Sequence, residues 1–142
     1  MSESPVTLSA IRATRGVLDG RIHRTQILSS ATAARVAGAA RGVRLGDGQL
    51  YLKAEHLQKT GSFKPRAALA RIASLSADER QRGAITISAG NGGQAYAWAA
   101  SEAGVPMTVV MPEDAVASKV NACLGYGAEV ILHGAHSGEA LE

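Results

Sequence analysis

Ala84-Ile85-Thr86-Ile87-Ser88-Ala89-Gly90-Asn91-Gly92-Gly93-Gln94-Ala95 sets a short apolar run against a glycine-rich turn. Ala84 to Ser88 reads as a strand, and Gln94 to Ala103 reads as a helix that Gly104 caps. The pattern then repeats. Met107 to Met111 is a second strand, Ala115 to Tyr126 a helix ended by Gly127, and Glu129 to Leu132 a third strand. Ser137 opens a further helix. Strands that recur about every 22 residues are too far apart for hairpins and need crossover helices, so this part is βαβαβ, a parallel sheet wrapped by helices. A strand-to-helix turn in such a sheet gathers free helix N–H groups, and an anion is its natural guest.

Taken alone, the turn fits two chemistries. Gly90-x-Gly92-x-x-Ala95 matches a dinucleotide fingerprint, with Glu113 about 20 residues further on, where a ribose-binding acid belongs. An NAD-type binding domain, or a non-catalytic binding module, is therefore a rival reading. It leaves the most distinctive upstream stretch unexplained.

That stretch is Lys53-Ala54-Glu55-His56-Leu57-Gln58-Lys59-Thr60-Gly61-Ser62-Phe63-Lys64-Pro65-Arg66-Ala67. A strand from Leu50 to Ala54 runs into a polar turn that Gly61 permits, and the turn runs into a helix. Ser62 is the candidate N-cap, and Pro65 falls in the first helical turn, where its missing N–H costs nothing. The helix extends to about Leu75 with Leu69, Ile72 and Ala73 inward. Lys64 sits at its positive end. The helix dipole disfavours the ammonium form there by about 0.3–1 kcal/mol, too little alone to make a nucleophile but in the direction a covalent lysine needs.

Lys-x-Glu-x-x-Gln-x-Thr-Gly-Ser-Phe-Lys, followed by Ser-Ala-Gly-Asn at 88–91, resembles the pyridoxal-phosphate-dependent threonine/serine dehydratases of fold type II. That group includes serine racemase, with cysteine synthase more distant. The resemblance implies an α/β fold, a three-layer parallel sheet with helices on both faces, like the tryptophan synthase β chain. It also implies pyridoxal 5'-phosphate as cofactor, with Lys64 as its Schiff-base lysine and Phe63 and Asn91 as further cofactor contacts. Ser88, Ala89, Gly90, Asn91 and Gly92 would hold the carboxylate of a small amino-acid substrate. The implied reaction is β-elimination on L-threonine or L-serine to a 2-oxo acid and ammonia. A cytoplasmic homo-oligomer is implied as well. Some positions differ from related enzymes. Gly92 stands where the family has His, and Ala67 where it has Gly. Ala89 replaces the Ser that racemases use to reprotonate the opposite face, which favours elimination.

Composition is compatible with these expectations. The chain has 142 residues, 46% hydrophobic but only 4% aromatic, so its core must be built from Ala, Val, Leu and Ile. No apolar run reaches the roughly 18 residues of a membrane span. The single Cys123 excludes an internal disulfide and reads as a buried helix residue in a reducing compartment. Seven of the arginines fall within residues 1–47. They are scattered and not interleaved with aromatics, so a solvated helix face fits better than a transit peptide or a nucleic-acid patch.

The remaining signals organise the chain around the two motifs. Residues 1–5 read as a loose end, Thr7 to Leu18 as a helix, Arg24 to Leu28 as extended, and Ser30 to Val36 as a short helix. Val43-Arg44-Leu45 and Gln49 to Lys53, joined by Gly46-Asp47-Gly48, read as a β-hairpin. Ser76 and Glu79 form a capping box. His133 and His136 lack a carboxylate or cysteine at ligand spacing, so they read as a surface loop and no metal is expected. The resembled enzymes hold the cofactor phosphate with a second glycine-rich loop, expected downstream of Glu142. On this reading the chain is a truncated, N-terminal portion. Residues 1–80 belong to the large cofactor domain and residues 81–142 to a small mobile domain, and weak cofactor retention is expected without the rest.

Overall fold

The computed structural model describes residues 6–136, 138 and 139. The first five residues and the expected helix from Ser137 lie outside the described residues, apart from 138 and 139. The elements are α1 (Leu8–Leu18), β1 (Ile27–Ser30), α2 (Ala31–Arg41), β2 (Leu50–Lys53), 3-10 turns at Glu55–Leu57 and Lys59–Gly61, α3 (Lys64–Ala73), α4 (Ala77–Arg82), β3 (Ala84–Ile87), α5 (Asn91–Ala103), β4 (Met107–Met111), α6 (Ala117–Gly125) and β5 (Glu129–Leu132).

Strands β3, β4 and β5 form a parallel sheet in that order, with Thr86 opposite Val109 and Val109 opposite Val130. Period-2 alternation sends Met107, Val109 and Met111 into one cluster with Ala95, Ala99 and Cys123 from the two crossover helices. On the opposite face Ile85 and Ile131 are exposed, at 68% and 41%, so part of that face is uncovered among the described residues. Helix α5 is buried on two sides. Ala95, Ala97, Ala99 and Ala100 are small enough for close approach, and its outer side receives Ala68, Leu69 and Ile72 of α3. Helix α1 packs in turn on α3. One continuous core therefore joins the Lys64 helix to the parallel sheet.

The expected β-hairpin at 43–53 does not form. β2 pairs antiparallel with β1 instead, in the register Ile27 to Lys53 and Ser30 to Leu50. The reason lies at the end of α2, which runs five residues past the expected stop. Gly42 takes the left-handed conformation (φ 65°), and the N–H of Val43 turns back to the carbonyl of Gly38. Residues 43–45 are spent terminating that helix and cannot enter a ladder. Other boundaries shift slightly. Helix α3 starts after Phe63 rather than Ser62 and stops at Ala73, and α5 begins three residues before Gln94. The Ser76–Glu79 capping box forms with both reciprocal bonds.

A bidentate ion pair fixes the loop before Lys64. Arg66 Nε and Nη2 donate to the two carboxylate oxygens of Glu55 at 2.8 Å each, and the Thr25 hydroxyl donates to the same carboxylate. The Arg66 hydrogen bonds, against the cost of burial and with help from Thr25, hold the Glu55 carboxyl down at about 2. Because the folded pKa lies below the ordinary 4.5, the stability this adds is fully present above about pH 5 and is lost as pH falls through 4.5 towards 2. Linkage sets an upper value of about 3 kcal/mol, and solvent screening at the one-third-exposed Arg66 lowers it towards about 2 kcal/mol. Urea midpoints taken from pH 7 to pH 3 should therefore fall more steeply for the native protein than for Glu55→Gln. Parallel curves would remove Glu55 from the acid response.

Candidate active site

Lys64 is the first residue of α3, and Pro65 at the second position is buried against the core. The Lys64 side chain is exposed, and its Nζ lies 5.3 Å from the centroid of the Phe63 ring, with no hydrogen bond or ion pair among the described residues. Two of the other three lysines are hydrogen-bonded through Nζ, and the third, like Lys64, lies over an aromatic ring but is partly buried. Lys53 donates to the Thr25 carbonyl, Lys119 is bound to two side-chain amides, and Lys59 lies 5.7 Å over the Trp98 ring of α5. Lys64 is the exposed amine of the set that no hydrogen bond occupies among the described residues.

The loop that delivers Lys64 is tightly built. Gln58 is buried, its Oε1 accepts the backbone N–H groups of His23 and Lys59, and its Nε2 donates to the His23 carbonyl. The motif contains this glutamine, but its role as a strut to residue 23 is not readable from spacing. Thr60 is held at φ 61°, a costly left-handed state for a β-branched residue, and its buried hydroxyl has no partner among the described residues. Such strain persists only where the surroundings over-determine it, and it clusters at ligand-binding loops.

The second cluster assembles at the carboxyl end of β3. Gly90 caps α5 without a side-chain bond, so the first-turn N–H groups of Asn91, Gly92 and Gly93 have no side-chain cap. The Ser88 hydroxyl accepts from the Gly90 N–H at 3.4 Å. A Cβ on Gly93 would lie 2.6 Å from the Ser88 carbonyl and 2.9 Å from Val109, so this helix start must be glycine to seat on the sheet. A Cβ on Gly92 would lie 2.9 Å from the Ser88 hydroxyl. Glycine at this position therefore leaves room for the Ser88 rotamer. Ser88, Ala89 and Gly90 thus form the turn, and Asn91 and Gly92 open α5 directly after it. Phe63 and Lys64 stand at the start of α3, which packs along α5, and no hydrogen bond links them to that turn among the described residues.

The arrangement fits an aldehyde cofactor on chemical grounds: a free amine beside an aromatic ring, and an uncapped helix start for an anion. Glu113, the acid required by a dinucleotide reading, uses its backbone N–H to reach Gly134. No group of three or more His, Cys, Asp or Glu suited to a metal occurs among the described residues. No described helix is long and apolar enough to cross a membrane.

Comparison with known proteins covers both clusters. Residues 22–142 match the family described as pyridoxal-phosphate dependent enzyme. The chain is 43% identical over 137 residues to the L-threonine ammonia-lyase of Thermotoga maritima, covering 96% of this chain and 32% of that protein. The crystal structure of serine racemase from Dictyostelium discoideum superposes with a TM-score of 0.80 at 41% identity, over 93% of this chain and 40% of that one. The crystal structure of a T.th. threonine deaminase gives 0.73 at 37% identity, over 96% and 40%. The chain therefore spans about a third of the length of the curated relatives it matches.

Proposed function

Because the chain belongs to the family of pyridoxal-phosphate dependent enzymes and shares the fold type II architecture, we propose that it forms part of an enzyme that removes the β-hydroxyl and the amino group of L-threonine or L-serine, giving a 2-oxo acid and ammonia. The observation that carries this reading is the packing of α3 on α5, two helices that share one core and begin with the exposed amine of Lys64 and with the turn at Ser88–Gly92. Pyridoxal phosphate, when bound, supplies an electron sink for the charge left at the substrate Cα.

The chain's own residues supply the rest. Lys64 would hold the cofactor, and the same Nζ amine would accept the α-proton. The uncapped N–H groups at the start of α5, with the Ser88 hydroxyl and the Asn91 amide, bind and orient the carboxylate. Ala89 carries no hydroxyl to return a proton on the opposite face. Elimination is favoured over racemisation for that reason, although relatives of both kinds are similar to this chain. Residues 81–142 act as a small, mobile part bearing the carboxylate turn, within a cytoplasmic homo-oligomer.

The test uses the complete protein with added cofactor, assayed for 2-oxobutanoate from threonine and for pyruvate and D-serine from L-serine. Oxo-acid formation with negligible D-serine is the expected result. Predominant racemisation would overturn the assignment to elimination. Within the same assay, Ser88→Ala should raise KM about tenfold or more, as loss of a hydrogen bond to a charged group does, with little change in cofactor content. Asn91→Ala should raise KM and lower cofactor content together. Unaltered kinetics in both variants would place the carboxylate elsewhere.

A further inference from the structure

Lys119 lies in the first turn of α6, on the strand–turn–helix unit next to the one carrying Asn91. Its Nζ donates to Asn91 Oδ1 at 2.7 Å and to Gln94 Oε1 at 3.0 Å. An ammonium is donor-only, so the atoms facing it must be the two amide oxygens. That chemistry alone fixes the orientation of both amides. With its oxygen pinned, the Asn91 amide turns its NH2 away from Lys119. A free asparagine at a helix start would otherwise rotate, or fold back to accept from backbone N–H groups as a cap. Lys119 is partly buried and forms no ion pair among the described residues. Its charge sits against the positive end of α5, an unfavourable placement that an incoming anion would offset.

We propose that Lys119 is a positioning residue for substrate binding: it holds the Asn91 amide with its oxygen on the ammonium, so that the two N–H groups face away from Lys119, one for the substrate carboxylate and one for the cofactor. The proposal rests on the reading of Asn91 as a substrate contact. Neither spacing nor motif points to Lys119, since 28 residues separate it from Asn91.

In the complete, cofactor-loaded protein, Lys119→Met should raise KM for threonine about tenfold, with kcat changed less than about threefold. Lys119→Arg, which can still donate to two oxygens, should recover most of the loss. In an Asn91→Ala background, Lys119→Met should add less than about twofold, because the two residues act as one unit. The cofactor-free protein gives an independent readout. The side-chain NH2 resonances of Asn91, observed by 15N NMR, should shift and broaden in Lys119→Met, and should move on titration with threonine only when Lys119 is present. An unchanged KM in Lys119→Met, or full multiplication of the two single effects, overturns the proposal. If Asn91→Ala itself leaves KM unchanged, the substrate reading of Asn91 fails, and an unaltered Asn91 amide spectrum in Lys119→Met then overturns the positioning role separately.

Discussion

Lys64→Ala in the complete protein is expected to lower kcat/KM by at least about a thousandfold and to leave a colourless protein that loses cofactor on dialysis. Acid–base work alone accounts for about 10²–10⁴ in rate, and the covalent hold on the cofactor disappears with the same amine. The loss should be chemical, not structural. Lys64 is an exposed residue at a helix start, and its replacement there should change stability by no more than about 0.5 kcal/mol. Lys64→Arg sharpens the point, because it keeps the charge but cannot form the bond. Recovery of activity in Lys64→Arg would mean that the charge, not the amine, is what the site needs. Unfolding curves and absorbance spectra of the two variants decide this directly.

The second large effect is expected at Leu69. It is 1% exposed and sits where α3 meets α5, between the helix that begins with Lys64 and the helix that begins with Asn91. Leu69→Ala should cost about 2–5 kcal/mol through lost burial and the cavity left behind, and the thermal midpoint should fall by roughly 10 °C. Leu69→Met, close in volume, should cost under about 1.5 kcal/mol. Because Leu69 carries the support and not the chemistry, cofactor affinity at temperatures well below the midpoint should fall modestly. A stable Leu69→Ala protein would show that α3 and α5 are held together by something other than this contact.

Much of the parallel half was legible in the sequence for a simple reason. Short apolar runs such as Met107 to Met111, separated by helix-length segments that end in glycine, leave no local alternative to βαβαβ. The early start of α5 was hidden because Gly92 and Gly93 are poor helix formers. They are helical here because Gly93 fits against the Ser88 carbonyl and Val109, a tertiary cause. The hairpin expected at 43–53 failed because pairing partners across some 20 residues compete on equal terms, and the capping bond from Val43 to Gly38 decided the contest. At the site, Lys64 and the Ser88–Gly92 turn were legible as motifs. The Gln58 strut, the Thr60 strain and the Lys119 bridge were not, since each depends on which segments meet in space.

The central claim is that Lys64, of the four lysines in the chain, holds the cofactor. Borohydride reduction of the complete, cofactor-loaded protein, followed by proteolysis and mass mapping, addresses it most directly. The expected result is one reduced phosphopyridoxyl group, on the peptide that contains Lys64. A label on Lys53, Lys59 or Lys119 with Lys64 unmodified, or no label on any of the four, would contradict it.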